Sequence, residues 1–139
     1  IGVFTDHGAP DKHLLKHFAQ CHAAFLESNY DEHMLHHGDY PPALKERIRG
    51  GSGHLSNKQA LELFLNHKSP DLTHLFLSHL SEHNNTPELV HDLFSGIAGS
   101  TEIIIASRYA ETAVYNIVPG SSGTRVLDSG RAQQLTLFG

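Results

Sequence analysis

Short apolar runs alternate with amphipathic stretches along most of the chain. The apolar runs predict five strands, namely IGVFT (1–5), AAFLES (23–28), LTHLFLSH (72–79), TEIIIAS (101–107) and TAVYNIV (112–118). The stretches between them predict helices over residues 11–20, 41–50, 56–67 and 86–94, and a short helix or turn over residues 31–38. Strands that alternate with helices indicate an α/β fold whose sheet is mostly parallel.

Local signals mark where several helices begin and end. Ser56, with Gln59 three residues later, forms the pattern of a capping box at the start of a helix. Thr86 followed by Pro87 marks the start of another helix, because threonine caps a helix and proline suits its first turn. Gly50 ends the helix that opens with two prolines.

The last part of the chain differs in composition from the rest, so the sequence predicts three segments. Residues 1–118 are expected to form one domain. Residues 119–133 are rich in Gly and Ser and are typical of a flexible linker, which leaves residues 134–139 as a tail.

Composition narrows the class of protein. The 139 residues carry a formal charge of −5, which is not the basic balance expected of a nucleic-acid binder, although bound divalent metals would change the local field. Cys21 is the only cysteine, so an internal disulfide framework is excluded and a reducing, cytoplasmic setting is expected. No apolar run approaches the length that spans a membrane.

Polar residues lie at the end of three of the predicted strands or directly beyond it. Asp6, Glu27 and His79 stand where strands run into loops, which is where α/β domains place metal ligands and acid–base groups. A carboxylate at Asp6 can bridge two divalent ions, and Glu27 can hold one ring nitrogen of His54 and leave the other for substrate. The same residues also suit plain turn, capping and hydrogen-bonding roles, so only their combination is specific.

Histidine is unusually frequent, with 13 residues against 10 lysines and arginines. His13 and His17 are spaced i,i+4 on a predicted helix, a spacing that can bind zinc. No third ligand stands near them in sequence. We therefore interpret them as surface residues, and we interpret His33, His36 and His37 in the same way.

At this point the motifs match a known family. The runs FTDHG (4–8), ESNYD (27–31), GHLSN (53–57) and HLSEHNNTPEL (79–89) closely resemble the C-terminal half of metallo-β-lactamase-fold hydrolases of the YycJ (WalJ) type, relatives of tRNase Z and the beta-CASP nucleases. The resemblance implies the C-terminal half of an αββα sandwich, with a mixed sheet and helices on one face. It also implies a rim that holds two divalent ions, zinc or manganese.

The resemblance assigns roles residue by residue. Asp6 matches the metal-bridging aspartate and His79 the last metal-binding histidine. His54 and Glu27 match a catalytic pair near the scissile phosphate, and Asn29 belongs to the same catalytic motif. His7 departs from the family pattern, which has a small or hydroxyl residue there. The upstream HxHxDH motif is absent, so we expect this chain to need a partner half and to be inactive alone.

Taken together, these features predict a metal-dependent phosphodiesterase that acts on DNA as an exonuclease in replication or repair. Two alternatives stay open, because this fold hosts many chemistries. One is a metallohydrolase of a small ester, thioester or lactone. The other is a truncated fragment whose role is binding only.

The tail carries a separate signal. The segment QLTLF (134–138) resembles the peptide by which bacterial replication and repair proteins dock on the sliding clamp. Leu135, Leu137 and Phe138 would enter apolar pockets, and Gln134 would supply an orienting hydrogen bond. A disordered end or an edge strand is the alternative interpretation.

Overall fold

A computed structural model describes residues 1–118 of the chain. Those residues form four strands and five helices in the order β1 (Gly2–Phe4), α1 (Lys12–Phe18), β2 (Ala23–Glu27), α2 (Glu32–His37), α3 (Pro42–Arg49), α4 (Asn57–His67), β3 (His74–Ser78), α5 (Pro87–Ser95) and β4 (Glu102–Ile105). The strands lie side by side as one sheet in the order β1-β2-β3-β4, and each pairing is parallel. The predicted α/β fold is confirmed.

The parallel arrangement follows from the connections. Each strand is joined to the next by at least one helix, so the chain returns to the same end of the sheet before each new strand begins. The mixed sheet implied by the family resemblance does not occur among residues 1–118, because no antiparallel strand joins these four.

Side-chain caps set the helix starts that the sequence predicts. Asp11 caps α1 and Thr86 caps α5, each by accepting a hydrogen bond from a backbone N–H three residues later. At α4 the capping box is complete, since Ser56 accepts from the N–H of Gln59 while the Gln59 side chain accepts from the N–H of Ser56. These bonds satisfy N–H groups that have no partner inside the helix.

One face of the sheet forms the main core. Its strand positions include Phe4, Leu26, Leu77 and Ile105, which the register places in one row. Helices α1, α4 and α5 cover this row, each with a fully buried phenylalanine, at Phe18, Phe64 and Phe94 respectively. Burying such a ring fully stabilises the fold by roughly 1.5–3 kcal/mol.

The opposite face is apolar and less well covered. Its corresponding row is Val3, Phe25, Phe76 and Ile104, of which Val3 at the sheet edge is 66% exposed. The rings of Phe25 and Phe76 stack with centroids 4.4 Å apart. Tyr115 lies edge-on against Phe76 at 5.3 Å.

The predicted fifth strand is wrong. Residues 112–118 form no strand among the described part of the chain, although Tyr115 makes a single β-bridge, and the Tyr115 ring packs against His74 and Phe76 of β3. Within this segment Tyr115 and Ile117 are half-buried while their neighbours are exposed. The apolar character of the segment therefore accompanies contact of Tyr115 with the sheet face, and the pairing does not extend beyond a single bridge.

Two further sequence predictions concern the end of the chain and membrane-spanning helices. The linker at 119–133 and the clamp-binding residues Gln134, Leu135, Leu137 and Phe138 lie outside them. Among the described helices, none has both the length and the apolar character required to cross a membrane.

Candidate metal and active site at the carboxyl edge of the sheet

Three adjacent strands deliver polar side chains to one edge of the sheet. Asp6 stands two residues beyond β1, Glu27 is the last residue of β2, and His79 follows β3 directly. Because the strands are parallel and neighbours, their carboxyl ends meet, and the three side chains converge.

His54 reaches the same place from the loop between α3 and α4. Close contact between glycines holds this loop against the turn that carries Asp6. A Cβ added at Gly8 would lie 2.3 Å from the carbonyl carbon of Gly51, and one added at Gly53 would lie 2.1 Å from the carbonyl oxygen of Ile48. Only glycine allows backbones to approach so closely, so these positions fix His54 relative to Asp6.

Glu27 is the centre of the cluster, with a side chain that is 0% exposed. Its Oε1 lies 2.7 Å from Nδ1 of His54, in hydrogen-bond geometry, and 2.8 Å from Nδ1 of His79. Its Oε2 accepts hydrogen bonds from the backbone N–H groups of His7 and Leu55, at 3.2 and 3.3 Å. A buried carboxylate is tolerated only with such partners.

Asp6 completes the cluster from the solvent side. Its side chain is 71% exposed, and its Oδ1 lies 3.9 Å from Nδ1 of His54 and 3.7 Å from Nδ1 of His79. One potential ligand atom from each of Asp6, Glu27, His54 and His79 can be chosen so that all lie within 4.8 Å of one another. Two imidazoles and two carboxylates are a donor set that suits zinc or manganese, so the residues present fit a divalent ion.

Two of these residues have unusual backbones. Asp6 has φ of 60° and His79 has φ of 58°, and they are the only residues other than glycine with positive φ among residues 1–118. The left-handed region costs free energy for a residue with a Cβ, so surrounding contacts must hold it. At His79, the side chain of Asn29 donates a hydrogen bond of 2.7 Å to the carbonyl oxygen.

A buried polar network lies behind the cluster. Ser28 donates to Oδ1 of Asn57 at 2.7 Å, and the amide of Asn57 donates to Oδ1 of Asn85 at 2.9 Å. Asn85 in turn donates to the carbonyl oxygens of Ser28 and Asn29. The network ties the end of β2 to the starts of α4 and α5, and it thereby fixes the loop that follows β2. Burial, the largest cause, raises the pKa of the nearby Tyr30.

The cluster opens into a cleft of about 1080 Å³. Asp6, His54 and His79 line it together with the half-buried Tyr40 and two arginines, Arg47 of α3 and Arg108 beyond β4. Sequence reasoning missed both arginines. Arg47 sits on a helix that buries no residue, and Arg108 follows a strand end, which is the one signal that could have identified it.

The structure brings the predicted residues together but does not separate their roles. The predicted contact between Glu27 and His54 is present, yet Glu27 approaches His79 equally closely. Asn29 lines the cleft, although its amide nitrogen is bonded to the His79 backbone. The division into metal ligands (Asp6, His79) and catalytic residues (His54, Glu27, Asn29) therefore stays a prediction.

Comparison with known proteins finds three relatives by sequence. The chain is 33% identical to "Exodeoxyribonuclease YycJ" of Bacillus anthracis over 89 residues, which are 64% of this chain and 34% of that protein. It is 32% identical to "Exodeoxyribonuclease WalJ" of Streptococcus pneumoniae serotype 2, strain D39, over the same length, 33% of that protein. The chain thus spans about a third of the length of the curated relatives that it matches.

These similarities confirm the resemblance: over the matched residues the chain is similar to proteins of the YycJ/WalJ type. No family model matches the chain, and no solved structure matches it either.

Proposed function

We propose that this chain forms the C-terminal part of a metal-dependent phosphodiesterase that degrades DNA as an exonuclease in replication or repair. The observation that carries the proposal is the meeting of Asp6, Glu27, His54 and His79 at the carboxyl edge of the sheet. The relatives are named exodeoxyribonucleases, which supports DNA as the substrate.

Asp6 and His79 would hold the metal. Both line the cleft, and Asp6 is exposed enough to serve two ions through its two oxygens. A pair of bound zinc or manganese ions supplies Lewis-acid stabilisation of the charge that develops on the phosphoryl oxygens. The residues of this chain would orient the metal ligands and move a proton.

His54 would do the proton chemistry. Glu27 contacts its Nδ1, which fixes the tautomer and leaves Nε2 free to face a substrate oxygen. From that position His54 can donate a proton to a departing oxygen or a hydrogen bond to a non-bridging oxygen of the phosphate. Asn29 would contribute indirectly, because it holds the carbonyl group of His79.

Four side chains are too few for two ions with several ligands each. We propose that an N-terminal half bearing HxHxDH supplies the others, and that this chain without it does not turn over substrate. A DNA substrate and a single cysteine both agree with a cytoplasmic setting.

The test compares phosphodiester and ester substrates with the chain joined to its N-terminal half. Hydrolysis of DNA without hydrolysis of small esters, thioesters or lactones supports the proposal. Asp6→Ala should lose metal and activity together. His54→Ala should keep its metal and lower the rate on the order of 10²–10⁴-fold. Preference for an ester would refute the nuclease assignment, and a complete protein that neither binds metal nor hydrolyses either substrate would favour a binding role.

The tail supports a second, independent proposal that rests on sequence alone. Residues 134–138 would tether the enzyme to the sliding clamp, with Leu137 and Phe138 as the apolar anchors. A segment this short loses conformational entropy when it becomes ordered on binding, so an affinity in the micromolar range is expected. Tethering raises the local concentration of the nuclease at DNA.

Titration of the wild-type tail peptide into purified clamp tests this tether, and a peptide with Leu137 and Phe138 replaced by alanine is the matched control. Binding by the first peptide only supports it. If no binding is detected at hundreds of micromolar, on the order of a hundred times the expected dissociation constant, the tether is refuted and the segment is interpreted as a disordered end.

A further inference from the structure

The two histidines of the cluster reach Glu27 from different loops. His54 lies in the loop between α3 and α4, and His79 opens the loop between β3 and α5. Nδ1 of His54 and Nδ1 of His79 both approach one oxygen, Oε1 of Glu27, at 2.7 and 2.8 Å. A single oxygen can serve two rings only if the two loops keep a fixed separation.

Asn57 and Asn85 join these two loops directly. Asn57 is the first residue of α4 and follows His54 closely, while Asn85 belongs to the loop that His79 opens. Nδ2 of Asn57 donates to Oδ1 of Asn85 at 2.9 Å, and Nδ2 of Asn85 donates to Oδ1 of Asn57 at 2.8 Å. The reciprocal bonds of this amide pair restrict both the distance and the orientation of the two loops.

The amide pair is also bonded to the residue next to the shared carboxylate. Ser28 follows Glu27, and its hydroxyl donates to Oδ1 of Asn57 at 2.7 Å. Its carbonyl oxygen accepts from Nδ2 of Asn85 at 2.8 Å. The pair thus connects the three segments that carry Glu27, His54 and His79.

Capping of the adjacent helices does not account for these amides. The Ser56 side chain caps α4 and the Thr86 side chain caps α5. Oδ1 of Asn85 also accepts from the backbone N–H of Thr86, but that residue precedes the first turn of α5. The hydrogen bonds between Asn57 and Asn85 therefore serve the separation of the loops and not the helix starts.

The position of the amide pair argues for the same role. Asn57 is 3% exposed and Asn85 is 5% exposed, and neither lines the cleft. Amides in the interior cost free energy unless they are bonded, and apolar side chains of similar size would fill the space without that cost. A bonded pair differs from apolar packing because its bonds close in one arrangement only.

We infer that Asn57 and Asn85 are positioning residues that hold His54 and His79 on the same oxygen of Glu27. They touch neither the cleft nor the cluster and act through the loops that they join. The inference deepens the proposed function and rests on it for the consequence at the metal. Loss of the pair should let the two rings move apart, so that the cluster binds an ion less tightly.

The first test is NMR of the histidine rings in the metal-free 139-residue chain. Under mildly alkaline conditions free imidazole is neutral, and a ring held in one tautomer has widely separated chemical shifts at its two nitrogens. We expect that separation for His54 in the wild-type chain, because its Nδ1 is bonded to Glu27. Asn57→Ala and Asn85→Ala should each reduce it, because a looser ring exchanges between tautomers.

The second test is the zinc affinity of the chain joined to its N-terminal half. Asn57→Ala should lower this affinity roughly 10-fold, at the lower end of the effect of groups that orient metal ligands. Asn85→Ala should have the same effect. The double variant should lose no more than either single variant, because both changes break one pair.

Thr101→Val is the matched control. Thr101 is also buried, and its hydroxyl donates to the carbonyl oxygen of Leu72 at 2.8 Å, just before β4 and so at the opposite end of the sheet. The control should lose stability without a change in the rings of His54 and His79 or in zinc affinity. Thermal melts establish that each variant is folded, and Ser28→Ala, which removes one hydroxyl and leaves the amide pair, replaces Asn57→Ala if that variant does not fold.

The outcomes separate this inference from the proposed function. If Asn57→Ala matches Thr101→Val in ring shifts or in zinc affinity, or if the losses in the two single asparagine variants add, the positioning role is wrong. Should that happen while Asp6→Ala still abolishes zinc binding, the proposed metal site stands. If the joined wild-type protein binds no zinc, the proposed function fails, and the ring shifts alone decide whether the amide pair positions the histidines.

Discussion

Histidines occupy two regions of this molecule with different consequences. On helices α1 and α2 the rings of His13 and His17 are 4.5 Å apart and those of His33 and His37 are 4.1 Å apart. At the carboxyl edge of the sheet the rings of His54 and His79 are farther apart, at 5.1 Å. Of these histidines, only His54 and His79 belong to a group of potential metal ligands within the described residues.

The difference lies in what stands between the rings. The helix histidines are exposed and share no carboxylate, whereas His54 and His79 both contact Oε1 of the buried Glu27. A shared carboxylate orients each ring and selects the nitrogen that faces the cleft. Proximity of imidazoles is therefore insufficient for a site, and a buried acceptor between them is the distinguishing feature.

The largest expected effect separates the two regions directly. In the chain joined to its N-terminal half, His79→Ala should abolish specific binding of zinc or manganese, because it would remove a proposed ligand, whereas His17→Ala should leave metal binding unchanged. Isothermal titration of both variants measures this. Equal losses of metal would mean that the helix histidines bind the ion and that the comparison is wrong.

Replacement of the shared carboxylate should have a smaller effect on the metal. Glu27→Gln keeps the shape of the side chain but weakens its hold on both rings, so metal affinity should fall by roughly 10–100-fold. Glu62→Gln on the exposed side of α4 is the control and should change nothing. A Glu27→Gln variant with wild-type affinity would show that the ligands orient without the carboxylate.

The glycine contact that positions His54 offers an effect on stability. Gly53→Ala forces a Cβ to within 2.1 Å of the carbonyl oxygen of Ile48, so it should lower the free energy of unfolding by about 1–3 kcal/mol. Gly51→Ala is the neighbouring control, because an added Cβ there meets nothing within 4 Å. Urea denaturation measures both, and equal stability of the two variants would remove the assigned packing role.

The smallest effect concerns the helix that carries His13 and His17. The backbone N–H of Leu14 bonds to Asp11 and lowers the pKa of that carboxyl from its ordinary value of 3.8. A lowered folded pKa adds stability above the unfolded pKa, and that stability is lost as pH falls through the folded pKa. Asp11→Asn keeps a capping oxygen and should flatten this acid dependence slightly, with metal binding unaltered. A larger acid dependence in the variant would contradict the assignment.

The helices and four of the five predicted strands followed from sequence because their signals are local. A capping box such as Ser56–Gln59 acts within four residues, and a strand such as His74–Ser78 shows as an apolar run. The exception is residues 112–118, where Tyr115 packs against Phe76 and makes a single β-bridge but no strand forms. An apolar run does not distinguish a strand from a segment that packs on a sheet face.

The sequence also identified the strand ends that carry Asp6, Glu27 and His79, and the family motifs added His54. Four properties depend on contacts between residues far apart in the chain, and only the tertiary structure decided them. They are the order of the parallel strands, the position of Glu27 between two imidazoles, the glycine contact between two loops, and the arrival of Arg47 and Arg108 at one cleft. Local sequence preferences do not determine such long-range contacts, because packing of the whole sheet and its helices sets which loops meet.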